Sequence, residues 1–315
     1  MMNGKGLLHC TTVMDKHGNH SLHKQMEKQT KAYIYAGVTI LFWSTVATAF
    51  KIGLRYLDYL HLLFFSAFFS LLILVMITAF QRKLGQIRTF GARQILQSAL
   101  LGALNPFLYY IFIFKAYSLL PAQVAQPLNM IWPIVLVFLS VLLLKHKVSL
   151  RSYLALFISF AGVYLISSQG KPLSFHVDSP AGIILALGSS LIWSSFWIYN
   201  IKDKRDEVVK LLLNFFFALL YITIAILMIE GFHRPPLEGI LSCMYIGTFE
   251  MGLGFYFWLR ALQLARSADS ISNLVYLAPF GSLILIHFII GETIYWTTLL
   301  GLFLIVGGII YQKIR

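Results

Sequence analysis

The residue of this sequence most able to do chemistry is a single carboxylate, Glu250, inside the apolar stretch IGTFEMGLGFYF. Burying an ionised carboxylate in a membrane is costly, so an acid at such depth is a functional candidate. Glu250 could bind and release a proton, which makes it a proton-coupling candidate, or it could pair with an ammonium group of a ligand. The alternative is a protonated glutamic acid that hydrogen-bonds a neighbouring helix for packing alone.

Two polar stripes supply further candidate ligand-binding groups. Gln123, Gln126 and Asn129 recur at steps of three, and a proline follows them in the sequence. Asn273 and Tyr276 form a second stripe, also with a proline beside it. Residues at these steps share one face of a helix. An amide that faces lipid has no water to bond, so the stripes are predicted to face a wet cavity or a neighbouring helix.

The first apolar run carries a cation and a hydroxyl on one face. Ser44 and Lys51 lie seven residues apart, which is two helical turns. Lys51 could pair with Glu250 or with a substrate carboxylate, or it could extend its ammonium group to the membrane interface. The asparagine that aligns with Glu250 in the first half of the chain is Asn105, which is neutral.

Several tryptophans and tyrosines lie inside apolar runs rather than at their ends. Their N–H and O–H groups need partners when buried, and a solvated pocket supplies them. Such a pocket would suit an amphipathic or aromatic solute. The candidate substrate-binding residues are Trp43, Ser44, Asn105, Tyr109, Gln123, Gln126, Asn129, Trp193, Glu250, Asn273 and Tyr276.

The sequence lacks the grouped side chains that enzymes use. It contains no paired acids, no Ser-His-Asp set and no phosphate-binding loop, and its histidines and two cysteines match no metal-ligand spacing. We therefore predict no catalysis, no cofactor and no bound metal. An integral membrane enzyme, a channel and a structural scaffold are the alternatives, although no ring of like charge typical of a channel is present.

The composition places these residues in a membrane protein. Hydrophobic residues make up 58% of the chain and charged residues 12%, whereas soluble domains carry about 25% charged residues. Apolar runs of about 20 residues are typical of membrane-spanning helices. Ten spans are predicted near 33–54, 60–80, 94–117, 121–144, 152–168, 180–201, 208–229, 238–259, 269–290 and 295–312.

The placement of the basic residues predicts the orientation. The polar segments on the side of the N-terminus hold 20 Lys and Arg, and those on the other side hold 4. Cytoplasmic loops carry such an excess, so both termini are predicted to be cytoplasmic, in the cytoplasmic (inner) membrane. The excess also accounts for the net charge of +13 without nucleic acid.

The two halves of the chain resemble each other. Residues 102–120 align without a gap on residues 247–265, so Gly102 meets Gly247 and Asn105 meets Glu250. The following helices align at an offset of 146, and the first span aligns on the sixth at an offset of 150. Five spans per half make the repeat inverted, as in secondary transporters with a midplane site. The predicted units are a disordered basic tail (1–31), a five-helix repeat (32–168), an extracytoplasmic linker (169–179) and a second repeat (180–315).

The last two spans, SNLVYLAPFGSLILIHFIIGETIYWTTLLGLFLIVGGIIY, resemble the closing helices of the EamA-like family of drug/metabolite transporters. The similar features are a proline in the ninth span, the pair Gly291 and Glu292 at its end, and a glycine-rich tenth span. The opening segment LFWSTVATAFKIG is also similar to that family. One departure is that Lys145 and His146 occupy the Gly-Glu position in the first half.

The resemblance implies an all-α polytopic membrane protein, with ten transmembrane helices in two inverted five-helix repeats around a central cavity. Members of the family move small metabolites, often amino acids or other organic solutes, outward, and some exchange substrates. We therefore expect a secondary-active transporter, an exporter or an exchanger, that moves a small organic metabolite by alternating access. Its expected partners are that substrate, the lipid bilayer and, as a candidate, protons; it is expected to be a monomer or a homodimer.

Overall fold

The structure is a computed structural model that describes residues 5–144, 150–173, 179–229, 231–265, 271 and 273–313. Lys145 and His146 therefore lie outside the described residues. The described residues form a short 3-10 helix, Leu84–Thr89, and ten longer helical segments: α1 (Lys5–Gly53), α2 (Tyr59–Phe80), α3 (Ala92–Leu119), α4 (Ala122–Asn129 and Trp132–Leu144), α5 (Leu150–Ser167), α6 (Pro180–Lys202), α7 (Glu207–Ile229), α8 (Leu237–Leu264), α9 (Asn273–Leu277, Ala278–Leu285 and Ile286–Ile290) and α10 (Trp296–Lys313).

Six of these segments contain stretches long and apolar enough to cross a membrane, judged by length and composition. They are Met26–Gly53, Tyr59–Phe80, Ala92–Leu119, Pro180–Asn200, Glu207–Ile229 and Leu237–Leu264. Shorter apolar helices span Tyr153–Ser167, Leu274–Ile290 and Trp296–Tyr311. Helix α1 begins at Lys5 and so continues through most of the predicted tail.

Local capping fixes where several helices begin and end. The carboxylate of Asp58 accepts hydrogen bonds from the N–H groups of Leu60 (2.8 Å) and His61 (3.0 Å) at the start of α2. Such a side chain satisfies N–H groups that have no partner inside the helix. Ser179 caps α6 in the same way, and Gly291, with φ of 80°, ends α9 in a left-handed conformation.

The packing of the helices repeats between the two halves. Helix α1 contacts α8 and α9, and its counterpart α6 contacts α3 and α4. Helix α2 packs on α7 and α5 packs on α10, so each of these pairs joins a helix to its own counterpart. This exchange of partners is expected of two inverted repeats. It confirms the predicted architecture of ten helices in two five-helix repeats.

The aligned glycines Gly102 and Gly247 lie at equivalent close crossings. A Cβ atom on Gly102 would lie 2.4 Å from the carbonyl oxygen of Asn214 on α7. A Cβ atom on Gly247 would lie 2.3 Å from the carbonyl oxygen of Ser66 on α2. Small residues allow helix backbones to approach closely in membranes, and these two positions require them.

The two ends of the helix bundle are named inner and outer according to the predicted topology. The inner end carries the connections at residues 81–91 and 203–206, and the outer end carries those at residues 54–58, 120–121 and 291–295.

Candidate functional site

A cavity of about 440 Å³ lies between the two repeats. Three helices of each repeat line it: α1, α3 and α4 from the first, and α6, α8 and α9 from the second. Its volume falls in the range of about 300–1,000 Å³ that small-molecule sites occupy. The lining residues of this central cavity are Trp43, Val46, Phe50, Tyr109, Ile113, Tyr117, Gln126, Asn129, Met130, Trp132, Leu136, Trp193, Trp197, Glu250, Trp258, Leu262 and Val275.

Aligned residues of the two repeats line the cavity together. Trp43 and Trp193 are aligned at the offset of 150 between α1 and α6, and both line the cavity. The same holds for Ile113 and Trp258 at the offset of 145. The cavity therefore lies where the two repeats meet around their common axis, as in inverted-repeat transporters.

Helix α8 widens into a π turn near its middle, at Ile246–Gly254, and α3 is kinked at the equivalent place, Ala103–Leu108. Such π turns are rare and often occur at functional sites. The π turn of α8 contains Glu250, which lines the central cavity. The kink of α3 contains Pro106 and Asn105, whose backbone is not helical (φ −146°, ψ 122°), and the side chain of Asn105 faces a separate small pocket beside Trp197 and Lys210.

One oxygen of the Glu250 carboxyl group is held and the other is free. The hydroxyl of Tyr110, itself fully buried, donates a hydrogen bond of 2.8 Å to Oε1 of Glu250. Oε2 has no hydrogen-bond partner among the described residues. The indole N–H of Trp43 lies near this carboxyl group, but the two form no hydrogen bond of ordinary geometry.

The charge of Glu250 has no cationic partner in the cavity. No Lys, Arg or His is among the residues that line the cavity in the described part of the chain. Lys51, which the sequence offered as a partner, donates a hydrogen bond of 2.8 Å to the backbone carbonyl of Tyr117. This bond holds the ammonium group of Lys51 near the outer ends of α1 and α3.

The amide stripe of α4 is divided between two roles. Gln126 and Asn129 line the central cavity, and Oε1 of Gln126 has no hydrogen-bond partner among the described residues. Asn129 donates to the hydroxyl of Ser189 (2.7 Å) and accepts a long hydrogen bond from Tyr109 (3.4 Å). Helix α4 is interrupted beside this pair, between Asn129 and Trp132.

Gln123, one turn earlier, lies at the outer end and joins α4 to the connection between α9 and α10. Its side-chain oxygen accepts from the N–H of Tyr295 (2.8 Å), and its amide nitrogen donates to the carbonyl of Thr293 (2.7 Å). Glu292 accepts hydrogen bonds from the N–H groups of Ala122 (2.8 Å) and Gln123 (3.1 Å), the first residues of α4. We call these contacts of Gln123 and Glu292 the outer tie.

Aromatic rings form most of the cavity wall. Five of the six tryptophans of the chain line it: Trp43, Trp132, Trp193, Trp197 and Trp258. The ring of Trp193 lies 4.7 Å from that of Tyr109 and 5.8 Å from that of Trp197, and the rings of Trp43 and Trp258 are 5.3 Å apart, measured between centroids. Such a wall can hold an aromatic group or the face-on charge of a cation.

The structure brings together six of the eleven predicted substrate-binding residues: Trp43, Tyr109, Gln126, Asn129, Trp193 and Glu250. Four others do not line the cavity. Ser44 packs against Gly281 of α9, Asn105 faces the small pocket, Gln123 belongs to the outer tie, and Tyr276 is buried outside the lining. The side chain of Asn273 lies outside the described residues.

The sequence-based list omitted several lining residues, among them Phe50, Tyr117, Trp197 and Trp258. One of them carried a usable signal. Trp197 follows Trp193 by four residues and therefore shares its helix face. Trp258 could have been found only through its alignment with Ile113, whose side chain is not distinctive.

Known proteins resemble the chain over most of its length. An uncharacterized transporter of Archaeoglobus fulgidus is 25% identical over 284 residues, which cover 89% of this chain and 96% of that protein. The uncharacterized transporter YvbV of Bacillus subtilis is 27% identical over 65% of this chain and 68% of its own length. Protein PecM of Dickeya dadantii is 24% identical over 67% of this chain and 71% of its own length.

A crystal structure superposes with a TM-score of 0.64 over 90% of this chain and 96% of that chain, at 19% identity, which supports the fold alone. The sequence pattern of the EamA-like transporter family matches residues 30–168 and 180–311, which correspond to the two repeats. With its apolar helices, this match makes the protein an integral, multi-pass membrane protein related to transporters. The chain belongs to the EamA-like transporter family.

Proposed function

We propose that this protein is a secondary-active transporter that moves a small organic metabolite, such as an amino acid or an amphipathic or aromatic solute, by alternating access. The observation that carries the proposal is the central cavity, which three helices of each inverted repeat enclose. Rocking one repeat against the other would expose such a cavity first to one side of the membrane and then to the other.

The helices that line the cavity are suited to such a movement. Helix α4 is interrupted beside Asn129, α3 is kinked at Asn105 and α8 is widened by a π turn. Helices bend at irregularities of this kind. Helices α5 and α10, which do not line the cavity, pack on each other away from it.

Glu250 is our candidate for coupling transport to protons. Its second carboxyl oxygen has no partner among the described residues, and none of the described residues that line the cavity is cationic, so its charge is balanced by a proton or by the solute. The protein would act in the cytoplasmic (inner) membrane, with both termini cytoplasmic, as an exporter or an exchanger. A single bundle contains the whole cavity, so a monomer suffices and a homodimer is compatible with it.

Counterflow in proteoliposomes tests the proposal. Vesicles that contain the full chain are loaded with an unlabelled solute and given the same radiolabelled solute outside, with a panel of amino acids, nucleotides and organic cations. An alternating-access carrier accumulates label transiently above its equilibrium level, because the excess unlabelled solute inside competes with the label for the binding site on the way out. A channel, a scaffold or an enzyme produces no such overshoot, and its absence for every solute would contradict the proposal.

The coupling role of Glu250 is tested in the same vesicles with an imposed pH gradient. We expect gradient-driven uptake in the unmodified protein and its loss in Glu250→Gln. The matched control is Glu238→Gln, because Glu238 is exposed at the start of α8, away from the cavity. Equal gradient-driven uptake in both variants would reduce Glu250 to a packing role.

A further inference from the structure

We propose that the central cavity selects amphipathic organic cations, with an amine group on Glu250 and an apolar or aromatic body against the tryptophans. The inference deepens the proposed carrier function, and it rests on that function for its physiological meaning. It concerns selectivity of binding and can be measured without transport.

The lining of the cavity carries a single negative charge in the described chain. Glu250 is the only residue among the lining residues of the described chain that carries a formal charge. Only 8% of its surface is exposed, so water gives the carboxylate little compensation. A charge that is buried without a partner is strongly unfavourable. A cationic ligand removes that penalty when it enters, whereas a neutral ligand leaves it in place.

Two buried acceptors line the cavity without a partner among the described residues, Oε2 of Glu250 and Oε1 of Gln126. One buried donor of the lining, the indole N–H of Trp43, also has none. Buried acceptors are normally bonded, so a ligand that fills the cavity satisfies the two oxygens by donating to them. An ammonium group donates as many as three hydrogen bonds and accepts none. Tyr110 holds the first oxygen of Glu250 and so directs the free one.

The same charge would make the cavity reject anionic ligands. A carboxylate or phosphate group would enter beside Glu250, where like charges repel and no lining residue is cationic in the described chain. Zwitterionic amino acids would carry that penalty on one of their two charged groups. The aromatic walls add attraction for cations, because the face of an indole ring is negative.

Equilibrium dialysis of the purified full chain against four matched radiolabelled probes tests the proposal. The probes share a phenyl ring and a short chain: 2-phenylethylammonium is a cation, phenylalanine a zwitterion, 3-phenylpropionate an anion and 2-phenylethanol neutral. A charge-assisted hydrogen bond contributes about 1.5–3 kcal/mol, so we expect the cation to bind about tenfold or more tightly than the other three. This comparison requires no variant.

Three variants then test whether Glu250 is responsible for the preference for the cation. Glu250→Gln is expected to bind all four probes alike, Glu250→Asp is expected to keep the preference for the cation, and Glu238→Gln is expected to match the unmodified chain. Binding of the zwitterion or the anion as tight as that of the cation would overturn the proposal. It would also be overturned if the cation did not bind, or if the preference persisted in Glu250→Gln.

The two proposals can fail separately. Counterflow of phenylalanine, together with binding of phenylalanine tighter than that of the cation, would leave the carrier proposal standing and overturn the cation selectivity. Selective binding of the cation, without counterflow of any solute, would support the selectivity and contradict the carrier proposal.

Discussion

The two repeats share the arrangement of their helices but differ in chemistry, and the contrast is sharpest at the aligned residues Asn105 and Glu250. Glu250 lies in the π turn of α8, and Asn105 lies at the kink in the equivalent place of α3. Glu250 lines the central cavity with one free carboxyl oxygen, whereas Asn105 faces a small pocket beside Trp197. The duplicated helices therefore supply the shape of the site, and a difference at one aligned position supplies its charge.

The same contrast extends to the ends of the bundle. At the outer end, Glu292 caps the first turn of α4 and so joins the second repeat to the first. In the sequence, the residue aligned with Glu292 at the offset of 146 is His146, which lies outside the described residues. A carboxylate that can accept from helix N–H groups is thus present at this position in only one repeat.

The largest effect on stability is expected from substitutions at the two equivalent helix crossings. Gly247→Ala would place a methyl group 2.3 Å from the carbonyl oxygen of Ser66, and Gly102→Ala would place one 2.4 Å from that of Asn214. A backbone atom cannot move aside alone, so the two helices of each pair must separate. This lowers the free energy of unfolding by about 1–3 kcal/mol or more. We expect each variant to melt far below the unmodified protein in detergent, as measured by fluorescence-detected size exclusion.

Gly37→Ala is the matched control for these two substitutions. A Cβ atom on Gly37 meets no atom within 4 Å, and alanine favours a helix over glycine by about 1 kcal/mol, so the melting temperature of Gly37→Ala is expected to stay the same or to rise slightly. If Gly247→Ala were as stable as Gly37→Ala, the close crossing of α8 and α2 would not support the fold.

Much of the fold follows from the sequence, because its determinants are periodic and cumulative. Apolar runs of about 20 residues predict the spans, basic residues predict the orientation, and the offsets between halves predict the inverted packing. The orientation has not been tested, whereas the ten-helix architecture is confirmed. The kink of α3, which contains Pro106, and the π turn of α8 were not among the predictions.

Prediction of the site from the sequence has a clear physical limit. A step of three or four residues tells which face of a helix is shared, but not where along the helix the cavity ends. Gln123 shares its face with Gln126, yet it lies one turn further out and bonds to Thr293. Ser44 is next to Trp43 in the chain, but it packs against α9.

A smaller effect is expected at the outer tie. Loss of a capping side chain costs about 0.5–2 kcal/mol of helix stability. In Glu292→Ala, the N–H groups of Ala122 and Gln123 lose their acceptor, and we expect the first turn of α4 to open more often. Hydrogen–deuterium exchange of peptides that cover residues 120–126 measures this, with an expected acceleration of about fivefold for 1 kcal/mol.

The start of α2 is the internal control for this measurement. The carboxylate of Asp58 caps it independently of the outer tie, so its exchange rate is expected to stay unchanged in Glu292→Ala. Unchanged exchange of residues 120–126 would show that the outer tie contributes nothing to closing this end. Equal acceleration at both helix starts would point to a general loss of stability instead.

The smallest expected effect lies at the inner end, where the first loop of the second repeat is held by a buried ion pair. Arg205 donates a hydrogen bond of 2.6 Å to Asp203, and the side chains are 6% and 2% exposed. Burial alone would raise the pKa of Asp203, but the hydrogen bonds from Arg205 outweigh it and hold the pKa below its ordinary value of 3.8. The unfolded chain then binds more protons than the folded protein as the pH falls.

The contribution of this ion pair to the free energy of unfolding is therefore fully present above pH 3.8. It is lost as the pH falls through the lower pKa that Asp203 has in the folded protein. Asp203→Asn has no carboxylate to titrate, so we expect its melting temperature to fall less steeply with acid than that of the unmodified protein. Glu238→Gln, which removes an exposed carboxylate at the outer end, is expected to follow the unmodified protein. If the melting temperatures of Asp203→Asn and the unmodified protein fell in parallel with pH, the buried ion pair would make no pH-dependent contribution to stability.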